Sequence, residues 1–300
     1  MKVLITGGTN GMGKGVVKAL AEYAGETNEI IILCRSEQLG HTTINELTMS
    51  NTSAALSLVV CDLADMKAVK AAVLEIRHKH DYLDAIFINA GLGYAAKQIE
   101  TVDGMDSHFQ VNYLSQFYFV VQLLELLEKS ARGGRVIFNA TPGGKIYWDD
   151  IQMIRKWSYE NAIQQAMVAK RMFLIKMHAL YQKQLAKVSF IGFSIHKTVW
   201  TNQLNIIPAY MRIIASIMKA FGTFISMETC GQVMLPLFME DAVKTAEKSG
   251  GFFTWKNHHF EKIKEDSALA TEQNQNKLLE YSLRRCKDDP TERILGKLEK

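Results

Sequence analysis

Val3-Leu4-Ile5 runs directly into Thr6-Gly7-Gly8-Thr9-Asn10-Gly11-Met12-Gly13, after which Val16, Val17, Leu20 and Ala21 recur at helical spacing. A strand, a glycine turn and a helix in that order constrain the chain more than any other feature, because they predict the opening unit of a doubly wound α/β sheet. Glycine is needed there so that the backbone can bend sharply, an anion can come close to it, and the next helix can press on the sheet. The first N–H groups of that helix then face the anion. The unit predicts a bound dinucleotide lying against Gly7, Thr9, Asn10, Gly11 and Met12.

Short apolar, β-branched runs recur at Val3–Ile5, Ile30–Leu33, Leu56–Val60, Ala85–Ile88, Arg135–Phe138 and Val188–Phe193, with helical spacing between them, and Gly251–Thr254 offers a further edge strand. Continuous apolar runs mark strands buried on both faces. The expected fold class is therefore α/β, a doubly wound Rossmann fold of about seven parallel strands with helices on both faces. No repeat or linker divides the chain, so residues 1–300 read as one domain, with a substrate-covering helical insertion at about 202–239 and a polar tail at about 256–300.

Hydrophobic residues make up 48% of the chain and charged residues 22%, enough apolar surface for a three-layer core. The net charge of +4 arises from basic residues spread along the chain, which argues against a nucleic-acid partner. Cys34, Cys61, Cys230 and Cys286 form no CxxC or Cys/His cluster, so they read as reduced, mostly buried thiols and no metal site is expected. The most apolar segment, Leu204–Met239, is interrupted by Arg212, Lys219 and Glu228 and cannot span a bilayer. The apolar start is too short for an export signal. A cytoplasmic protein without a transmembrane segment is expected, with peripheral membrane contact through the Ile-, Met- and Phe-rich insertion left open.

The spacing Thr-Gly-x-x-x-Gly-x-Gly at Thr6–Gly13 resembles the short-chain dehydrogenase/reductase family, and other motifs fall into the same register. Asp62-Leu63 stands where that family contacts the adenine ring, Asn89-Ala90-Gly91 matches its motif after the fourth strand, and Asn112 matches its structural and catalytic asparagine. Asp103–Asn112, Gly144–Asp150 followed by Ser158-Tyr159, Glu228–Gln232 and Leu278–Ser282 resemble the retinol dehydrogenase-like branch. The resemblance implies hydride exchange with a nicotinamide dinucleotide. At the end of the second strand an acidic residue would accept from a ribose 2′-OH and repel a 2′-phosphate. This chain has Cys34-Arg35 there, and a planar guanidinium suits a phosphate, so NADP(H) is the expected cofactor.

In the family the working groups are a Ser, a Tyr-x-x-x-Lys pair and an Asn. Thr141 stands at the serine position and keeps the hydroxyl, and Lys170 matches the lysine, but Ala166 occupies the place of the tyrosine. The candidate catalytic set is Asn112, Thr141 and Lys170, with Lys170 and Thr201 also expected to contact the cofactor. Ile195-His196-Lys197 replaces the Pro-Gly commonly found beside the nicotinamide. A positioned acid/base is worth roughly 10²- to 10⁴-fold in rate, and Tyr94, Tyr147, Tyr159 and His196 are the candidates to supply it. The expected function is an atypical NADP(H)-dependent oxidoreductase acting on an apolar or aromatic small molecule, with C=C and C=N bonds among the candidates for reduction. An inactive NADP(H)-binding protein and a fold reused for non-redox chemistry are the alternatives. Two long helices expected at Met105–Lys129 and Asn161–Gln184 offer a surface for a homodimer.

Overall fold

A computed structural model describes residues 1–24, 28–50, 54–141, 143–183, 187–195, 198–199, 212–214, 216, 224–256, 258–264, 271–286, 291 and 294–296. Strands β1 (Lys2–Thr6), β2 (Glu29–Cys34), β3 (Ala55–Val60), β4 (Ala85–Ile88), β5 (Gly134–Asn139) and β6 (Val188–Ile195) are the six expected at the outset. A separate pair, β7 (Thr198–Val199) and β8 (Phe224–Ile225), flanks the segment read as an insertion. Strands β9 (Phe252–Lys256) and β10 (His259–Lys262) complete the main sheet, whose order is β10-β9-β6-β5-β4-β1-β2-β3. Seven of its eight strands run parallel, as expected; β10 adds an antiparallel edge to β9. The polar composition of β10 hid it from a search for apolar runs.

Alternation along each strand divides the core into two layers. Leu4, Ile31, Leu33, Ile86, Ile88, Val136 and Phe138 face one side, whereas Val3, Ile5, Ile30, Ile32, Phe87, Ile137 and Ile191 face the other. Helices α1 (Gly11–Ala21), α2 (Glu37–Met49) and α3 (Met66–Lys79) begin at Asn10, Ser36 and Asp65, whose side chains accept from backbone N–H groups of the first turn. Such caps meet donors that no helical carbonyl can reach. Because strand order reverses between β1 and β4, the loops leaving those two strands diverge and open a crevice at their C-terminal ends.

The helix expected at Met105–Lys129 is interrupted. A turn at Ser107–Phe109 leads into a π-helical turn at Gln110–Leu114 and then into α4 (Ser115–Glu128). Because Gln110–Leu124 is buried on every side, no apolar stripe reveals the extra residue of the π-turn, and such turns concentrate at functional sites. Helix α5 (Tyr159–Lys183) packs beside it, followed by α6 (Met227–Met239), α7 (Ala242–Lys248) and α8 (Glu272–Cys286). Leu278, Leu279 and Ser282 of α8 are buried, and the Ser282 hydroxyl lies 2.7 Å from the Tyr113 phenol. The polar tail thus packs α8 against α5 and the π-turn.

Arg135 shows how tightly the sheet is tied to α6. It is fully buried on β5, and its Nη1 donates to the carbonyls of Phe238 at 2.9 Å and Glu240 at 3.0 Å, where α6 runs out of N–H partners. Arg135→Met is expected to cost about 3 kcal/mol, since charged hydrogen bonds are each worth ~1.5–3 kcal/mol and the carbonyls would stay buried and unpaired. Urea unfolding checks this; a loss below about 1 kcal/mol would show that the guanidinium is dispensable.

Candidate active site

The glycine turn is built around the Thr6 hydroxyl. Thr6 is buried at the end of β1, and its Oγ1 accepts from the backbone N–H groups of Asn89 at 2.9 Å and Ala90 at 3.0 Å while donating toward the Phe87 carbonyl at 3.2 Å. Asn89 Nδ2 returns a hydrogen bond to the Thr6 carbonyl at 3.2 Å. One hydroxyl and one amide therefore lock the exits of β1 and β4 together. Gly7 adopts φ +70° and Gly11 φ +53°, in the left-handed region where a side chain is strained. A Cβ on Gly13 would sit 2.2 Å from the Gly7 carbonyl oxygen. Asn10 Oδ1 accepts from Gly11 N at 2.8 Å, and the first turn of α1 holds no acidic side chain, leaving its positive end to an anion. Thr9, Asn10 and Met12 are half-buried at the rim of this cradle.

Arg35 is exposed immediately beyond β2, next to the cradle, because Gly7 N donates to the Leu33 carbonyl at 2.8 Å. Cys34 points inward, its burial raising the thiol pKa and keeping it neutral, while Ser36 caps α2. Arg35 makes no hydrogen bond or ion pair among the described residues. On the far side of β2, Asp62 Oδ1 accepts from Ala64 N at 2.9 Å, and buried Leu63 receives the Ser115 hydroxyl on its carbonyl at 2.6 Å.

The π-turn aims Asn112 at the loop after β4. Its Oδ1 accepts from Leu92 N at 2.6 Å and its Nδ2 donates to the Leu92 carbonyl at 3.1 Å, with Gly91 so close that a Cβ there would meet Oδ1 at 3.1 Å. Both ends of the amide are thus engaged in holding the loop. Gln116 reinforces it, Nε2 donating to the Ala90 carbonyl at 2.6 Å and to the Val111 carbonyl at 2.8 Å. His108 Nε2 reaches the Gly93 carbonyl at 2.8 Å. Thr6, Gln116 and His108 were absent from the sequence-derived set; Gln116 stands in a run that also holds Gln110, Asn112 and Gln122, so its amide carried no distinguishing signal.

Thr141 leaves β5, and its carbonyl accepts from Arg171 Nη1 at 3.2 Å. The following loop lies along the start of α5: Gln165 Oε1 accepts from Tyr147 N at 2.7 Å, Gln165 Nε2 donates to the Ile151 carbonyl at 2.9 Å, and the Tyr147 hydroxyl donates to Asn161 Oδ1 at 3.3 Å. The Tyr94 and Tyr159 rings meet edge-on, 4.9 Å between centroids. Beneath this loop Ala166 is fully buried, and one helical turn on is Lys170, 2% exposed. Lys170 makes no hydrogen bond or ion pair among the described residues, and burial alone lowers its pKa to about 7. Thr201 and His196 lie outside the described residues. Among the described residues there is no cluster fit to hold a metal ion.

Residues 1–152 match the family model described as short chain dehydrogenase, which spans the glycine turn, Asn89–Gly91, Asn112 and Thr141. The chain belongs to the short-chain dehydrogenase/reductase family. Retinol dehydrogenase 12 of Mus musculus is 25% identical over 205 residues, 68% of this chain and 62% of the relative. The WW domain-containing oxidoreductase of Drosophila melanogaster is 31% identical over 131 residues, 43% of this chain and 31% of the relative. The matches thus cover less than two thirds of these relatives' lengths. Among solved structures, an uncharacterized protein from Mycobacterium paratuberculosis has a TM-score of 0.68 at 17% identity, covering 95% of this chain and 93% of that one. The RhlG/NADP active-site complex of Pseudomonas aeruginosa has a TM-score of 0.65 at 19% identity, covering 86% of this chain and 96% of that one. At these identities the likeness is one of fold.

Proposed function

We propose that the protein is an NADP(H)-dependent oxidoreductase that passes hydride to or from an apolar or aromatic small molecule without the family's tyrosine. The observation that carries this reading is Lys170, a buried ammonium with no partner among the described residues. A buried cation without a partner is costly, and such a group points to a ligand that completes it. Ribose hydroxyls would do so, with the pyrophosphate in the cradle of Gly7, Gly11 and Gly13, the adenine near Asp62 and Leu63, and a 2′-phosphate on Arg35. Asn89, Ala90 and Gly91 would line the nicotinamide end, with Thr201 assigned to the carboxamide. A reduced nicotinamide supplies hydride; Thr141 would hold the substrate oxygen, and Asn112 the loop beneath it.

Arg35→Asp is expected to weaken NADPH binding by ~10- to 100-fold, the worth of a charge-assisted contact, and to reverse the preference toward NADH. Nicotinamide fluorescence titrations with both cofactors test it. Unchanged preference would remove Arg35 from the site.

A second reading, an NADP(H)-binding protein without turnover, is favoured by the Asn112 amide being engaged at both ends and by the complete burial of Ala166. Reduced-nicotinamide absorbance, followed with aldehydes, ketones, enones and imines, separates the two. Oxidation supports the enzyme; tight binding without oxidation supports the binding protein, and product without cofactor oxidation supports non-redox chemistry. No helix among the described residues is long and apolar enough to cross a membrane, and we place the protein in the cytoplasm. With α8 on the face of α5, we assign any homodimer to another surface.

A further inference from the structure

We propose that Lys170 is itself the proton carrier of this reaction, its ammonium donating directly to the substrate atom that receives the electron pair. This rests on the oxidoreductase reading above. Ala166 and Lys170 are four residues apart on α5, so they project from the same face, and both are buried. With alanine in the earlier position, that face holds no phenol for Lys170 to serve. An ammonium has three N–H donors, and none is used among the described residues. Ribose hydroxyls can occupy two and leave one for substrate.

The groups on the elements packed around α5 are committed elsewhere. Tyr113 is bonded to Ser282, His108 to the Gly93 carbonyl, Arg135 to the end of α6, Tyr181 to Glu128, and Tyr281 to Gln152. Glu280 lies beside Arg284, and the neighbouring Arg171 spends its guanidinium on Thr141 and the Phe252 ring. None of these supplies Lys170 with a counter-ion that would hold its proton. Burial brings its pKa to about 7, where charged and neutral forms are both populated and a general acid is most effective.

For a carbonyl substrate, a bound reduced nicotinamide would supply the hydride for the new C–H bond at the carbonyl carbon and be oxidised in turn. As the C=O π pair moved onto oxygen, Lys170 Nζ would give that oxygen a proton. The neutral amine is recharged from water. Oxidation of an alcohol runs the same steps backward, with the neutral amine as base.

The test compares wild type with Lys170→Arg and Lys170→Met. Arginine keeps the charge and the ribose contacts but does not release a proton near neutral pH. NADPH affinity of K170R is expected to stay within about 3-fold of wild type, whereas hydride transfer to 4-nitrobenzaldehyde falls by ~100-fold or more, the scale of a lost general acid. The second readout needs no turnover. In ¹³C-lysine NMR, with the Lys170 signal identified by its loss in K170R and K170M, the amine should titrate near neutral pH, well below the ordinary lysine value of about 10.4. A Lys170 that stays charged past about pH 9, or a K170R variant with full activity, overturns the proposal while leaving the cofactor reading intact. Wild-type protein that fails to bind NADPH, or binds it and oxidises none, overturns the oxidoreductase reading and this proposal with it.

Discussion

Gly15→Ala is expected to destabilise the protein by about 2 kcal/mol or more, although alanine is the better helix former by ~1 kcal/mol. Gly15 lies on α1, where an added Cβ would fall 2.0 Å from the Met227 carbonyl oxygen at the start of α6. The contact is reciprocal, since a Cβ on Gly231 would fall 2.0 Å from the Gly15 carbonyl oxygen. The two helices cross backbone against backbone, and neither obstructing atom can rotate away. Separation would loosen the buried side chains of Val16, Ala19, Cys230 and Met234 together. Gly40→Ala is the control: its nearest obstruction, 2.4 Å away, is a Leu58 methyl group that can turn aside, so its cost should stay within about 1 kcal/mol. Urea unfolding of both variants decides the matter, and a Gly15→Ala protein as stable as wild type would refute the close crossing.

Gly13→Ala is expected to weaken NADPH binding by ~100-fold or more. The new methyl would lie 2.2 Å from the Gly7 carbonyl oxygen and 2.6 Å from Asn89 Nδ2. It would push apart the turn and the β4 exit, which are joined by the bonds between Asn89 and Thr6. Two backbone N–H contacts to a charged pyrophosphate, at ~1.5–3 kcal/mol each, account for a change of that size. Fluorescence titration gives the affinity, and circular dichroism shows whether the fold survives. Folded protein with a dissociation constant within about 3-fold of wild type would mean that the cofactor does not use this turn.

The parallel strands were legible because Ile30–Leu33 and Ala85–Ile88 are apolar on both faces, and their burial on both sides of the sheet needs nothing beyond residue type. The glycine turn was legible for a related reason: positive φ and the absence of a Cβ are demands that glycine alone meets at Gly7, Gly11 and Gly13. The late helix read from Leu278, Leu279 and Leu283 exists as α8, but its place against α5 was not readable. The π-turn around Asn112 was hidden as well, since Gln110–Leu124 is buried on every side and has no apolar stripe in which one inserted residue would show as a change of phase.

For the candidate site the division is similar. The glycine turn and the guanidinium of Arg35 were legible from residue type and spacing, because propensity and side-chain chemistry are local properties, whereas Asn112, Thr141, Lys170 and the alanine at the expected tyrosine position, Ala166, came forward only through the resemblance to the family. Distances between segments far apart in the chain are not local. That Asn112 spends its amide on Leu92, that Arg135 ends a helix about a hundred residues away, and that Gly15 admits another backbone were decided by tertiary packing. So was the burial of Lys170 without a partner among the described residues, since the desolvation of an ammonium depends on what the whole fold places around it.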